Sequence, residues 1–178
     1  MYVMIFAIIF VIIAVDQIIK FLVLNTLAIG QTVPLIDGVF HFTYVRNFGA
    51  AFSILQNRQE FLIIVTGLVM IVILIYLLKN AKHFDSLAII SLSMIVGGGV
   101  GNIIDRVRYG FVVDYLDFRL IHFPVFNFAD CCIVVGAIMM LLYVFFMAKE
   151  NGEKTLKVEP PVSKEIETVE NEDEQRPE

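Results

Sequence analysis

Four long apolar runs, separated by polar segments of unequal length, organise the chain. Met1–Val15 carries no charge and continues through Asp16 and Lys20 to Leu24, which predicts a first helix over residues 4–24. Phe61–Leu78 is interrupted only by Thr66 and Gly67. Leu87–Ile104 is rich in glycine and contains Ser91, Ser93 and Asn102, and Cys131–Ala148 is a fourth run. About 20 residues rising 1.5 Å each cross a hydrocarbon core of roughly 30 Å. The pattern therefore predicts an all-α membrane protein with four transmembrane helices, the third ending near Ile104 and the fourth covering residues 129–148. A cleaved leader usually places positive charge ahead of its apolar core. None precedes Lys20, so the first run reads as a retained helix.

The connections are as informative as the helices. Asn25–Glu60 contains Pro34, the pair Asp37-Gly38, and the alternating stretch Val39–Val45, which predicts a short strand entered from a turn. A small sheet on the membrane surface and an amphipathic helix around Ala50–Gln56 both fit this segment. Lys79–Ser86 is a short polar turn, which makes the second and third helices antiparallel neighbours. Asp105–Asn127 forms a second long connection, and Pro124 excludes a helix running through it. An even number of spans puts both termini on one side and both long connections on the other. The Lys/Arg bias that orients membrane proteins is slight here: seven on the termini side against six on the loop side. If several loop-side cations are held by partners, the remainder favours cytoplasmic termini.

Composition sharpens this picture. The 178 residues are 58% hydrophobic and 17% charged, with a mean hydropathy of +0.82. Soluble domains carry about 45–50% apolar and about 25% charged residues. Residues 1–148 hold eight basic and eight acidic groups, so the net charge of −5 belongs entirely to residues 149–178. That segment is expected to be an acidic, disordered cytoplasmic tail, because it lacks the apolar surface to offset its ordering entropy. No basic stripe argues for a nucleic-acid partner. Cys131 and Cys132 are adjacent, which is poor disulfide geometry on a helix, and no Cys/His spacing suggests a metal site. His41, His83 and His122 are far apart and read as loop or interface residues.

Two carboxylates carry the candidate chemistry. Asp130 sits at the mouth of the fourth apolar run, and Asp114 lies sixteen positions upstream in Val112-Val113-Asp114-Tyr115. Ionised carboxylates at a bilayer edge are expensive to hold. Two that meet can share a proton, the arrangement that activates water in aspartic proteases. Asn127 is placed to cap the fourth helix, with Asp130 in its first turn. Asp16 and Lys20 stand at i,i+4 with the acid first, a self-neutralising pair that can also orient catalytic groups. Arg46-Asn47-Phe48-Gly49-Ala50-Ala51-Phe52 offers small residues for close backbone approach. Gly97-Gly98-Gly99-Val100-Gly101 reads mainly as close helix packing. Asn102 and Arg106 lie one turn apart, and Arg106 is expected either to pair with Asp105, with Asp114 or with an anionic group of a lipid or peptide, or to serve as a plain interfacial anchor.

In order along residues 10–148, five blocks resemble the lipoprotein signal peptidases, the type II signal peptidases of bacteria. They are Asp16-Gln17-x-x-Lys20, Asn47-x-Gly49-Ala50-Ala51-Phe52, Gly101-Asn102-x-x-Asp105-Arg106, Val113-Asp114-Tyr115 and Phe123-Pro124-x-Phe126-Asn127-x-Ala129-Asp130. The resemblance implies an intramembrane aspartic endopeptidase with Asp114 and Asp130 as its dyad near the outer leaflet. It implies a prolipoprotein substrate cut before a diacylglyceryl-modified cysteine. By the same resemblance Asp16, Lys20, Asn47, Gly49, Gly98, Asn102, Asp105, Arg106 and Asn127 support the dyad or contact substrate. No metal or organic cofactor is required, membrane lipid surrounds the site, and the chain is expected to act as a monomer. Two departures stand out: no basic residue precedes the first helix, and Cys131 replaces a small polar residue common after Ala-Asp. An ion-coupled transporter needs a polar path across the bilayer, whereas these ionisable groups gather toward one surface. A non-catalytic membrane protein would tolerate Asn at positions 114 and 130.

Overall fold

The computed structural model describes residues 1–49, 58–121 and 123–157, with side chains of the last helix described as far as residue 147. In chain order the elements are α1 (Tyr2–Thr26), β1 (Thr32–Ile36), β2 (Phe40–Asn47), α2 (Gln59–Asn80), α3 (Ser86–Tyr109), β3 (Val112–Phe118), a 3₁₀ turn (Arg119–Ile121) and α4 (Phe128–Lys157). Among the described residues four helices are long and apolar enough to cross a membrane, as the hydrophobic runs predict. The expected amphipathic helix around Ala50–Gln56 lies outside the described residues, as does His122.

α3 is the central helix. In its most apolar stretch 61% of the residues are buried, against 11–17% in the other three. The glycines explain how one helix can pack against three. A Cβ on Gly97 would stand 3.0 Å from Ile12, and one on Gly101 2.6 Å from the Asp16 carboxylate, both on α1. A Cβ on Gly98 would collide with the Ala129 carbonyl of α4, and one on Gly99 with the Met70 thioether of α2. Each glycine thus brings a different neighbour to backbone distance, which is what small residues do in membrane bundles. Toward the end where α2 turns into α3, Ile5, Leu77, Ala81, Ile89 and Leu92 form a buried cluster.

α3 runs to Tyr109, past the Ile104 limit expected from sequence. Nothing in the intervening residues breaks a helix; Gly110 does, adopting φ 76° and returning its N–H to the Arg106 carbonyl. Asp105 and Arg106 are therefore helical residues rather than loop residues. At its other end Asp85 accepts from the Ala88 N–H at 3.0 Å, a standard N-cap. α4 likewise continues past Ala148 to Lys157, beyond the expected end. By packing, the chain divides into Met1–Tyr143 and a second unit starting at Val144. The described part of the second unit is the end of α4, where the Phe145 and Phe146 rings meet edge-on.

The sheet has three antiparallel strands in the order β1-β2-β3. Gly38 supplies the positive φ (69°) of the turn into β2. Only the middle strand was read from the sequence. β3 pairs with β2 across a long sequence gap, Val45 facing Asp114 and Asn47 facing Val112, and no local pattern announces that partner. The other edge of β3 is bridged at Leu116 by Phe126. Beneath the sheet Val23, Tyr44, Phe111, Val113 and Tyr115 form a second buried cluster against the end of α1.

Gly98→Ala forces its new methyl against backbone, and overpacking of that kind costs about 1–3 kcal/mol. Gly99→Ala meets only a flexible methionine end and gains helix propensity of about 1 kcal/mol. Thermal unfolding in detergent should therefore rank Gly98→Ala well below wild type and Gly99→Ala close to it.

Candidate active site

The site is assembled from five segments, and Lys20 is where three of its bonds begin. Its ammonium has three donors and spends them on Asp16 Oδ2, Asp105 Oδ2 and Asn102 Oδ1, each at 2.9 Å. The lysine is 1% exposed, and both aspartates are fully buried. The i,i+4 pair read from the sequence is present, but Asp105 joins it as a second counter-ion. Asp105 also accepts from the Val113 N–H at 3.0 Å, which fixes the start of β3 on α3. Gln17 ties the group together, donating to Asp105 Oδ1 at 3.0 Å, to Asp16 Oδ2 at 3.2 Å and to the Gly101 carbonyl at 3.2 Å. Sequence reading did not single out Gln17, although it lies inside the Asp16–Lys20 block.

From this buried base the bonds run outward through asparagines. Asn102 receives Lys20 and the Asn127 amide (3.2 Å) on its oxygen, so its own NH₂ faces Asp130 Oδ1 at 2.8 Å. Asn127 accepts the Asp130 N–H on its oxygen at 2.9 Å and gives its NH₂ to Asp114 Oδ1 at 2.6 Å. Asn47 accepts the Gly49 N–H at 2.9 Å and gives its NH₂ to Asp114 Oδ2 at 2.9 Å. Each amide is thereby oriented by a donor on its oxygen, and each presents N–H groups to a carboxylate.

The start of α4 is capped from three directions. Its first three N–H groups have no carbonyl within the helix to bond. Phe128 N–H goes to the Tyr115 hydroxyl at 3.1 Å, Ala129 N–H to Asp16 Oδ1 at 3.1 Å, and Asp130 N–H to Asn127. Asp130 reciprocates by accepting the Asn127 N–H at 3.2 Å. Asn127 and Asp130 thus form a capping box of the usual spacing. Asp114 reaches the same place from β3, where it is 2% exposed.

Arg106 pairs with neither of the two carboxylates expected for it. Its guanidinium donates to the Gly49 carbonyl at 3.0 Å and to the Asn102 carbonyl at 3.4 Å, and forms no ion pair with Asp105 or Asp114 among the described residues. Asp105 is already taken by Lys20, and Arg106 instead holds the Asn47–Gly49 turn. Gly98 sets the spacing of α3 and α4, its face lying against the Ala129 carbonyl and the Ile133 side chain. Asp16, Lys20, Asn47, Gly49, Asn102, Asp105, Arg106, Asp114, Asn127 and Asp130 thus lie in one connected hydrogen-bonded group, with Gly98 behind it and Ala50–Phe52 outside the described residues.

Asp114 and Asp130 line a cavity of about 890 Å³. Asn47, Asn102 and Arg106 share its polar wall, and Val45, the Phe123–Phe126 segment and Ile133–Val135 of α4 line much of the rest. Burial, and after it the Asp130 charge, raise the Asp114 pKa to about 7, against the pull of its Asn127 and Asn47 bonds and of Lys20. A carboxyl group that holds a proton near neutrality, beside a second carboxylate, can donate a hydrogen bond while its neighbour accepts a proton.

Comparison with known proteins identifies the family. A family model described as signal peptidase (SPase) II matches residues 8–146. The lipoprotein signal peptidase of Brevibacillus brevis is 50% identical over 141 residues, covering 79% of this chain and 94% of that protein. That of Clostridioides difficile is 48% identical over 145 residues, covering 81% and 96%. A bacterial membrane enzyme solved in meso at 2.3 Å superposes with TM-score 0.76 at 28% identity, covering 90% of this chain and 94% of the other. Another, solved at 1.9 Å, gives TM-score 0.72 at 30% identity, covering 79% and 92%. With four helices among the described residues apolar enough to span a membrane and a match running through nearly all of them, the chain belongs to the signal peptidase II family of multi-pass bacterial membrane proteins.

Proposed function

We propose that this protein removes signal peptides from prolipoproteins, cutting the bond before a diacylglyceryl-modified cysteine with Asp114 and Asp130 as its catalytic dyad. The observation that carries the reading is the buried Asp114 and the part-buried Asp130, joined through Asn127 at the wall of a cavity. One carboxylate takes a proton from water as the oxygen attacks the scissile carbonyl. The other, protonated, hydrogen-bonds the carbonyl oxygen as charge develops there. Collapse of the tetrahedral intermediate breaks the C–N bond, and the amine leaves with a proton returned by the dyad. The peptide ends as a carboxyl group on the signal peptide side and an amine on the lipidated cysteine.

Arg106 and Asn47 line the cavity beside the dyad and suit the substrate's carbonyl oxygens. Val134 and Val135 line it too and are 56% and 46% exposed on the outer surface of α4. Such a wall lets acyl chains enter from lipid. The termini are assigned to the cytoplasm and the site to the outer leaflet. Among the loop-side cations Lys20 and Arg119 are ion-paired, Arg106 is bonded to Gly49 and Arg46 lies over the Phe111 ring at 4.7 Å. Discounting held charges leaves the Lys/Arg excess on the termini side. Residues 1–148 form the peptidase domain, 149–178 an acidic cytoplasmic tail, and the enzyme acts as a monomer with no metal or organic cofactor.

Cleavage of a diacylglyceryl-modified precursor by purified protein in detergent tests the dyad. General acid–base assistance contributes about 10²–10⁴-fold, so Asp114→Asn and Asp130→Asn should each lose at least that much kcat while remaining folded. Wild type should be unaffected by a chelator. Near-normal turnover by either variant would remove the assignment.

Asp114 also predicts two pH effects. In the cleavage assay kcat/KM should fall as pH rises through about 7, where the pair loses its shared proton. The folded state binds that proton more tightly than the unfolded chain, whose ordinary value is 3.8. The contribution to stability is therefore full below 3.8 and lost as pH rises through about 7. Melting temperatures across this window should decline in wild type, and the decline should flatten in Asp114→Asn.

A further inference from the structure

We propose that Tyr115 is a positioning residue for the cleavage reaction, its hydroxyl fastening the strand that carries Asp114 to the helix that carries Asp130. This rests on the dyad reading above and adds to it a residue that touches neither carboxylate.

The geometry follows from strand alternation. Successive side chains of β3 point to opposite faces. Asp114 faces the cavity, and Tyr115 goes the other way, into the cluster with Val23, Tyr44, Phe111 and Val113. There the ring is 2% exposed and lies 6.4 Å from the Phe42 ring. Its one polar atom ends at the first turn of α4, where it accepts the Phe128 N–H at 3.1 Å. A buried tyrosine usually finds such a partner for its hydroxyl. This partner is an N–H that no helical carbonyl can reach, two residues before Asp130. Burial raises the Tyr115 pKa, so the hydroxyl stays neutral wherever the enzyme works.

Two other connections join the same elements. One is the backbone bridge at Phe126, which bonds Leu116 in both directions and accepts the Tyr115 N–H at 2.9 Å. The other is the Asn127 side chain, which binds Asp114 directly and belongs to the dyad's own surroundings. The bridge sets the register of the returning chain, but Phe126 precedes the helix by two residues. Tyr115 instead grips α4 itself, from the residue next to Asp114. Loss of the hydroxyl frees the helix start to shift relative to β3, and misplacement by about 1 Å costs on the order of 100-fold in rate.

The test uses purified full-length protein and a diacylglyceryl-modified precursor. Tyr115→Phe deletes the hydroxyl and keeps the ring. We expect kcat to fall roughly 10- to 100-fold with KM within about twofold of wild type. The control is Thr43→Val, which removes the Thr43–Asp117 bond of 2.6 Å elsewhere in the sheet. Compared at equal distance below their melting temperatures, Thr43→Val should keep wild-type kcat. Equal kcat for the two variants would overturn the inference. If Tyr115→Phe does not fold, 3,5-difluorotyrosine placed at 115 weakens the acceptor and retains the ring. A fall in kcat with the fold intact then supports the role, and unchanged kcat overturns it. Active Asp114→Asn and Asp130→Asn proteins would sink the dyad reading itself. Inactive aspartate variants beside a fully active Tyr115→Phe would sink only this one.

Discussion

A single ammonium group, fully out of water, is the constraint on which this site depends. Burying a charge costs several kcal/mol, and the cost is recovered only if its hydrogen bonds are complete and its counter-charges close. Lys20 meets both conditions by drawing α1 and one turn of α3 onto itself. The two aspartates it satisfies have further oxygens and lone pairs to spend, and these reach outward to Ala129 at the start of α4 and to Val113 at the start of β3. One buried cation thus determines where both elements that carry Asp114 and Asp130 begin. Removing one partner of such a group leaves uncompensated charge, a loss on the order of 3–5 kcal/mol, so the four segments rise or fall together.

The asparagines pass that order to the surface of the cavity. An amide can rotate to offer either oxygen or nitrogen, and its assignment rests on its neighbours. Lys20 settles the matter for Asn102, the Asp130 N–H for Asn127 and the Gly49 N–H for Asn47. All three then present nitrogen to carboxylates. Donors held in place before the reaction begins need no reorganisation while it proceeds.

Much of this was legible in the sequence, for physical reasons that differ by residue. Membrane helices announce themselves because lipid demands unbroken apolar runs, and Asp16, Asp114 and Asp130 stand out because charge beside such runs is costly. The capping of α4 was readable from Asn127 and Asp130 at the proper spacing. The strand pairing of β2 with β3 was not, since its partner residues lie far apart in the chain and carry no local signal. The end of α3 was placed early because charge was taken as the helix boundary. Asp105 and Arg106 remain helical because Lys20 and the Gly49 carbonyl receive them. Tyr115 and Gln17 sat in plain view within recognised blocks, but an aromatic beside valines reads as packing until its hydroxyl is seen to have a destination.

The capping box gives Asp130 a second occupation. It is the third residue of its own helix, and its oxygen accepts the N–H that opens α4. In the proposed reaction, a proton taken up by this carboxylate makes it a weaker acceptor, and the first turn of α4 loses part of its closure. Chemistry and local unfolding therefore draw on one oxygen atom. On that proposal the helix end would be loosened as the reaction advances and tightened when the proton departs, so the grip of this one cap would follow the catalytic cycle.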